Sequence, residues 1–294
     1  KDNSNTTKTA VYTKESEIVK SHYTATNLAY LSLVFMGGPS KVIVERVQTS
    51  DNISDALERL KNKRWYYLAV PGLGDGETDT VIEYIKEQRT QYHKTFKAVL
   101  PLAAADNEGI INFATDNIKI GAKTYTTAEF CCRIAGILAG LPLNRSATYY
   151  TLPEVESITE SETPDDDVDN GKLILINDGT KIKIARGANS LTTATEDKGD
   201  DFRKIKIIEA VDMIRDDIRA TFEDEFVGKV ENSYDNKIVF IAAVNKYFKD
   251  LANRGVLYDK YDNKAEIDIG ETREWLSKTR DVSSWDDEKI KTAN

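Results

Sequence analysis

The sequence predicts an α/β protein: a mainly parallel, helix-covered sheet domain followed by a C-terminal α+β domain. Three observations carry this. Runs that are apolar on both faces, residues 42–47, 65–70 and 96–102, alternate with amphipathic helical stretches, and strands of that kind belong to sheets covered by helices on both sides. The 294 residues exceed the ~100–200 typical of one domain. Between Glu154 and Asn170 lies a Pro-containing stretch with eight carboxylates, across which few contacts are expected. The expected division is an α/β domain over 1–160, an acidic linker over 161–170 and an α+β domain over 171–294.

Residues 1–17 read as a polar loop. Ala25, Leu28, Ala29, Leu31, Leu33 and Phe35 then predict a short buried helix stopping at Gly37-Gly38-Pro39. The strand at 42–47 is followed by a helix carrying Ile53, Ala56, Leu57 and Leu60, which Ser50 or Asp51 can cap. After the second strand come a Gly-rich turn and a helix with Val81, Ile82 and Ile85, and His93-Lys94 lead into the third strand. Residues 118–125 read as a hairpin. Thr127 begins a helix with Phe130, Ile134, Ile137 and Leu138 that ends at Gly140 and Pro142.

Past the acidic stretch, residues 173–176, the turn Asn177-Asp178-Gly179-Thr180 and residues 182–184 predict a β-hairpin, since Asp-Gly suits the positive φ of a tight turn. Ile207, Val211, Ile214, Ile218 and Phe222 predict a long amphipathic helix. A second helix runs from about Asn236, with Ile238, Ile241, Phe248 and Leu251, to Gly255. Residues 265–269 alternate like a strand, and 271–276 read as a short helix.

Composition excludes several function classes. No apolar run approaches the ~18–20 residues that span a bilayer, so no membrane role is expected. Net charge is −9, split as 18 Lys/Arg against 16 Asp/Glu in residues 1–150 and 22 against 33 in 151–294. An acidic chain without a basic block argues against nucleic acid. Cys131 and Cys132 lie side by side in a helical pattern, where neighbours point ~100° apart, so no disulfide framework is expected and a reducing compartment fits best.

Catalytic motifs are absent from the pattern, and no catalytic, cofactor-binding or metal-binding residue is assigned. The two histidines, His22 and His93, lie in no nucleophile or metal spacing, and no G-x-S-x-G elbow occurs. The turn Gly72-Leu73-Gly74-Asp75-Gly76-Glu77 sits between strand and helix as a dinucleotide loop does. Glu77, however, occupies the third-glycine position and would repel phosphate. Asp165 to Gly171 resembles a calcium loop, but the glycine falls one place late and Ile176 stands where the bidentate Glu belongs. Sequons at Asn5, Asn52 and Asn144 are short enough to arise by chance. The charge-rich face from Arg215 to Glu225 reads either as a solvated helix face or as a docking surface.

Four segments carry a resemblance: residues 107–113 (Asn-Glu-Gly-Ile-Ile-Asn-Phe), 133–146 (Arg133 to Ser146, including Gly136, Gly140 and Pro142), 184–193 (Ile184 to Thr193) and 228–237 (Gly228 to Lys237). In this order and spacing, over roughly residues 25–290, the sequence resembles the contractile tail sheath proteins of myophages and R-type bacteriocins, particularly the short sheath type of Gram-positive prophages and phage-like particles. The resemblance implies a non-catalytic, subtilisin-like topology in the α/β domain and no cofactor. It implies a structural subunit of a contractile injection system: hexameric rings stacked into a helical polymer around an inner tube, which contract to drive the tube through a bacterial envelope.

The partners so implied are other sheath subunits, the tail tube protein, and the baseplate and terminator proteins. Assembly in the bacterial cytoplasm and residence in the tail of a particle are expected. Family subunits link through terminal arms that add strands to a neighbour's C-terminal domain, and both arms are expected to be missing from residues 1–294. The alternative is a nucleotide-binding or hydrolytic α/β enzyme using the 72–77 turn, and a third reading is a monomeric adaptor docking through the acidic helix.

Overall fold

The structure, a computed structural model, describes residues 1–74 and 76–293. By packing the chain forms two compact units, Lys1–Glu209 and Ala210–Asn294.

The first unit opens with a strand where the sequence read as a loop. β1 (Thr9–Tyr12) pairs antiparallel with β2 (Val42–Glu45), with Thr9 opposite Glu45. Four residues with only Tyr12 buried give too weak an alternation to be read locally. Between them lies α1 (Ala25–Phe35), capped by the Thr24 hydroxyl, which accepts from the Asn27 N–H at 3.2 Å. α2 (Ser54–Leu60) follows, and neither Ser50 nor Asp51 caps it: the Asn52 Oδ1 accepts from the Ser54 N–H instead.

Then come β3 (Tyr67–Ala69), α3 (Glu77–Thr90), β4 (Lys97–Pro101), β5 (Ile110–Phe113), β6 (Asp116–Ile120) and β7 (Lys123–Tyr125), the last two forming the expected hairpin. α4 (Thr127–Gly140) starts with a capping box between Thr126 and Glu129. Residues 161–170, expected as a linker, include a helix. β8 (Ser157–Thr159) pairs with β6, and α5 (Pro164–Asp169) leads into β9 (Lys172–Leu173). Pro164 at the first turn and three aspartates beside it suit a helix N-terminus, which takes up the negative charge.

β9 closes a four-stranded parallel sheet in the order β3-β4-β5-β9. β10 (Leu175–Asn177) and β11 (Ile182–Ile184) form the Asp-Gly hairpin, with Gly179 at φ 91°. Along β4, Ala98 and Leu100 enter the core shared with α2 and α3, while Val99 faces the core built on α4 and the hairpin. The apolar side chains of Ala98, Val99 and Leu100 on β4 and of Ile110, Ile111 and Phe113 on β5 are fully buried. α1 crosses α4 at backbone contact: a Cβ on Gly136 would lie 2.2 Å from the Val34 carbonyl oxygen, and one on Gly140 would lie 2.0 Å from that of Gly37.

α6 (Ile205–Glu225) begins in the first unit and continues into the second. At its start, buried Lys97 on β4 pairs with Glu209 at 3.1 Å, and the Tyr67 hydroxyl also donates to Glu209. α7 (Tyr234–Asn253), α8 (Ile269–Ser277) and α9 (Asp287–Thr292) complete the second unit. Residues 265–268, expected as a strand, pair with none among the described residues, and Ile269 already opens α8. The Asp268 side chain caps α8 by accepting from the Glu271 N–H, which favours helix over strand at that point. Among the described residues the regular structure of this unit is therefore helical, and the strands that residues 171–294 contribute, β9, β10 and β11, lie in the first unit.

Candidate functional site

The 72–77 turn is closed on itself. Gly72 and Gly76 adopt φ of 71° and 84°, as a strand-to-helix turn requires, while Asp75 lies outside the described residues. The Glu77 carboxylate accepts from the Gly74 N–H at 3.0 Å and pairs with Lys1 at 2.9 Å. Those two contacts, the Gly74 bond first, hold its pKa below the usual value. A phosphate approaching the N-terminus of α3 would meet this carboxylate.

His93 is exposed at φ 55° between α3 and β4, and the His22 carbonyl accepts from the Ser4 hydroxyl and the Arg46 guanidinium. Cys131 and Cys132 are free and buried. Burial pushes the Cys132 thiol up to about 12 and the Cys131 thiol well above its usual value, which disfavours the thiolate at both positions. Among the described residues no cluster of three or more His, Cys, Asp or Glu is placed to hold a metal ion, and no helix is long and apolar enough to cross a membrane.

The second unit instead displays surfaces suited to contact. Phe222 and Phe226 on α6 meet Phe240 on α7 at 5.2 and 5.0 Å between ring centroids. Around them Phe222, Val227, Val230, Ile238 and Val239 stay exposed. Such a concentration of apolar surface marks interaction sites. Helical periodicity assigned Val211 and Phe222 to an inward stripe, yet both are exposed. The missed signal is the second apolar group, Val227 and Val230, just beyond the helix end. The acidic run is partly structural: Asp217 accepts from the Tyr247 hydroxyl at 2.6 Å, and Glu223 pairs with Arg219.

The segment around Ala265 has one edge held by a side chain. The Asn245 Nδ2 donates to the Ala265 carbonyl at 3.2 Å and its Oδ1 accepts from the Ala265 N–H at 2.6 Å, the two bonds a neighbouring strand would make. Backbone groups alternate along an extended chain, so those of Lys264 and Glu266 point to the opposite edge. Lys264 pairs with Asp262 and Glu266, and Glu266 first raises its pKa.

The four segments singled out in the sequence serve as joints. The Asn107 Oδ1 accepts from the Gly109 N–H, and the Ser190 N–H and hydroxyl donate to the carbonyls of Ile110 and Asn107. Asn189, fully buried, donates to the Phe202 carbonyl. Gly136 and Gly140 admit α1, and the Ser233 hydroxyl caps α7.

Residues 47–190 match the phage tail sheath protein central domain, and residues 197–286 match the phage tail sheath C-terminal domain. A tail sheath protein of Clostridium phage phiCD119 is 36% identical over 281 residues, covering 92% of this chain and 78% of that protein. The chain belongs to the phage tail sheath family. The sheath chain is thus a structural component of a phage-type tail. Its fold is similar to that of a sheath tail protein from Desulfitobacterium hafniense, with a TM-score of 0.65 at 19% identity. That match covers 74% of this chain and 57% of the other, so the sheath chain spans little more than half the length of that relative. It is also similar to the helical sheath of the anti-feeding prophage in its contracted state, with a TM-score of 0.69 at 13% identity over 92% of this chain and 81% of that one.

Proposed function

We propose that this sheath subunit polymerises with its own kind into hexameric rings stacked around an inner tube, and that contraction of the polymer drives the tube through a bacterial envelope. The observation that carries the reading is the second unit. It exposes an aromatic patch at the α6–α7 turn and an extended segment with an unused edge at Lys264 and Glu266. Extended arms from neighbouring subunits add strands to that edge, so that main-chain bonds link the bodies while the arms flex. Contraction is a change between two packings of nearly rigid subunits, with more surface buried in the shorter state. The acidic C-terminal half faces the tube, with charge complementarity holding the extended state.

The four parallel strands with helices on both faces support a subtilisin-like connectivity without catalysis, since the 72–77 turn is filled by Glu77. Assembly takes place in the bacterial cytoplasm, and the baseplate and terminator proteins hold the two ends of the polymer.

The test is electron microscopy of the protein produced together with its tail tube protein. Hollow ringed tubes are expected, and Glu266→Pro, which removes an edge N–H, is expected to abolish them without altering the melting curve. Uniform small particles with saturable turnover would point to the enzyme reading. Tubes unaffected by Glu266→Pro would remove this edge from the mechanism.

A further inference from the structure

The first unit contains a cavity of about 410 Å³ bounded by the edges of two strands. Residues 42–47 line one side and 65–72 the other, odd and even positions alike. Side chains on one face of a strand alternate, so an unbroken run of lining residues means that the strand edge faces the space. β2 pairs only with β1, and β3 only with β4, among the described residues. The Arg46 N–H donates to the Lys8 carbonyl, which turns the backbone groups of even residues toward β1 and those of Ile43 and Glu45 toward the cavity. The Tyr66 carbonyl accepts from the Lys97 N–H, so the backbone groups of even residues on β3 face β4 and the N–H and C=O of Ala69 turn toward the cavity.

The other two sides are helix faces. Leu31 of α1 and Ala135 of α4 line one, and Ala56 and Leu60 of α2 line the other. The two strands already share these layers: Ile43, Leu68 and Val70 pack into the core of α2 and α3, while Val42 and Val44 pack with Leu31 and Ala69 packs on the α4 side. β3 is apolar on both faces, as an interior strand is, yet stands at the end of its sheet. The only carboxylate on β2, Glu45, is engaged by Arg59 and Lys63.

We propose that this slot receives one extended polypeptide strand, uncharged and apolar on both faces, which joins β1-β2 and β3-β4-β5-β9 into one sheet. Its main chain pairs with Ile43 and Glu45 on one side and with Ala69 on the other, and its side chains point alternately at α1/α4 and at α2. About four residues at ~3.3 Å each span the length of β2. The extended segment around Ala265 does not fit, because Glu266 and Asp268 share one face and would bring carboxylates against apolar helices. The inference concerns the single chain and stands whether or not the subunit forms tubes.

The test is amide hydrogen exchange, read by NMR on the protein with and without a lysine-flanked synthetic pentapeptide of valine, isoleucine and alanine. In the free protein the Ile43 and Ala69 amides are expected to exchange fast and that of Val99, in the middle of β4, slowly. The peptide should slow Ile43 and Ala69 by about ten-fold or more and leave Val99 unchanged. The same peptide N-methylated at alternate amides should have no effect. Ala69→Pro, which removes a cavity-facing N–H, and Ala135→Leu, which fills the helix side, should each lose the response while retaining the far-UV spectrum.

Three results would overturn the proposal. One is Ile43 and Ala69 as slow as Val99 in the free protein, meaning that β2 and β3 close directly on each other. Another is no slowing at saturating peptide. The third is an equal response to the methylated peptide or in either folded variant, meaning a general apolar cavity.

Discussion

The first unit buries a far larger share of its apolar side chains than the second. In Lys1–Glu209 two cores flank β4 and β5, where Ala98, Val99, Leu100, Ile110, Ile111 and Phe113 are wholly inaccessible. In Ala210–Asn294 the buried apolar residues are few: Val244, Leu251, Leu276, Val282 and Ile290. Its Phe222, Val227, Val230, Ile238, Val239, Tyr258, Tyr261 and Trp275 lie exposed. Hydrophobic burial drives folding in proportion to the area removed from water, so the second unit has less burial to stabilise it and leaves apolar surface open to contact.

The largest expected effect tests the weaker half. Leu251 on α7 is fully buried, and Leu251→Ala should cost about 3–4 kcal/mol of that unit's stability. Thermal melting followed by calorimetry should then show an early transition for the second unit and an unchanged one for the first. A single transition shifted as a whole would mean that the two units unfold as one, and the comparison would fail.

A comparable loss should arise in the first unit from a change that adds atoms. Gly136→Val places a branched side chain where a Cβ would already meet the Val34 carbonyl oxygen at 2.2 Å, forcing α1 off α4. Overpacking of this kind costs about 3 kcal/mol, and here it should lower the main transition and leave the second unit untouched. Differential scanning calorimetry of both variants side by side is the sharpest form of the comparison.

How far the sequence discloses this division differs by element. The runs at 65–70 and 96–102 are legible because a strand buried on both faces is apolar throughout, and the Asp178-Gly179 turn because positive φ selects its residues. β1, β5 and β9 are not, since two to four residues carry no period, and the order β3-β4-β5-β9 is set by parallel pairings distant in sequence. The alternation at 265–269 is legible as a strand, yet no strand pairs with it among the described residues, and Asp268 begins a helix instead. That Glu77 stands in the 72–77 turn where a dinucleotide loop has glycine was readable, but its pairing with Lys1 was not, because β1, β2 and β3 all lie between the two residues in sequence. The slot between β2 and β3 is a space, which no residue pattern announces.

A smaller, pH-dependent effect concerns Glu108. Burial pushes its carboxyl up, but Arg89 at 3.4 Å and Lys198 at 3.0 Å outweigh that and leave its pKa below the usual value. A depressed folded pKa stabilises the native state above the unfolded value of ~4.3 and loses that contribution as pH falls through it toward the folded value. Glu108→Gln should therefore cost about 2 kcal/mol at pH 7 and progressively less below pH 4. Urea melts at pH 7 and pH 3 measure both, and an equal cost at the two pH values would show that charge plays no part.

The smallest effect is confined to a surface turn of the stronger unit. Gly179 sits at φ 91° with nothing within 4 Å of the position a Cβ would take, so a substitution there meets strain and no clash. The Asn177 Oδ1 accepts from the Gly179 N–H at 2.9 Å, and Asp178 accepts from the N–H groups of Thr180 and Lys181, which fixes the turn independently of the glycine side. Gly179→Val should then cost about 1–2 kcal/mol, the ordinary cost of a left-handed L-residue, whereas Gly179→Asn should cost less because asparagine tolerates that region. Since Leu175, Ile182 and Ile184 anchor the hairpin in the core of α4, neither change should separate it from the unit. Chemical denaturation of both variants decides this. Equal losses would show that the residue does not need positive φ, and a loss as large as that of Gly136→Val would mean that the first unit depends on its edge as much as on its core.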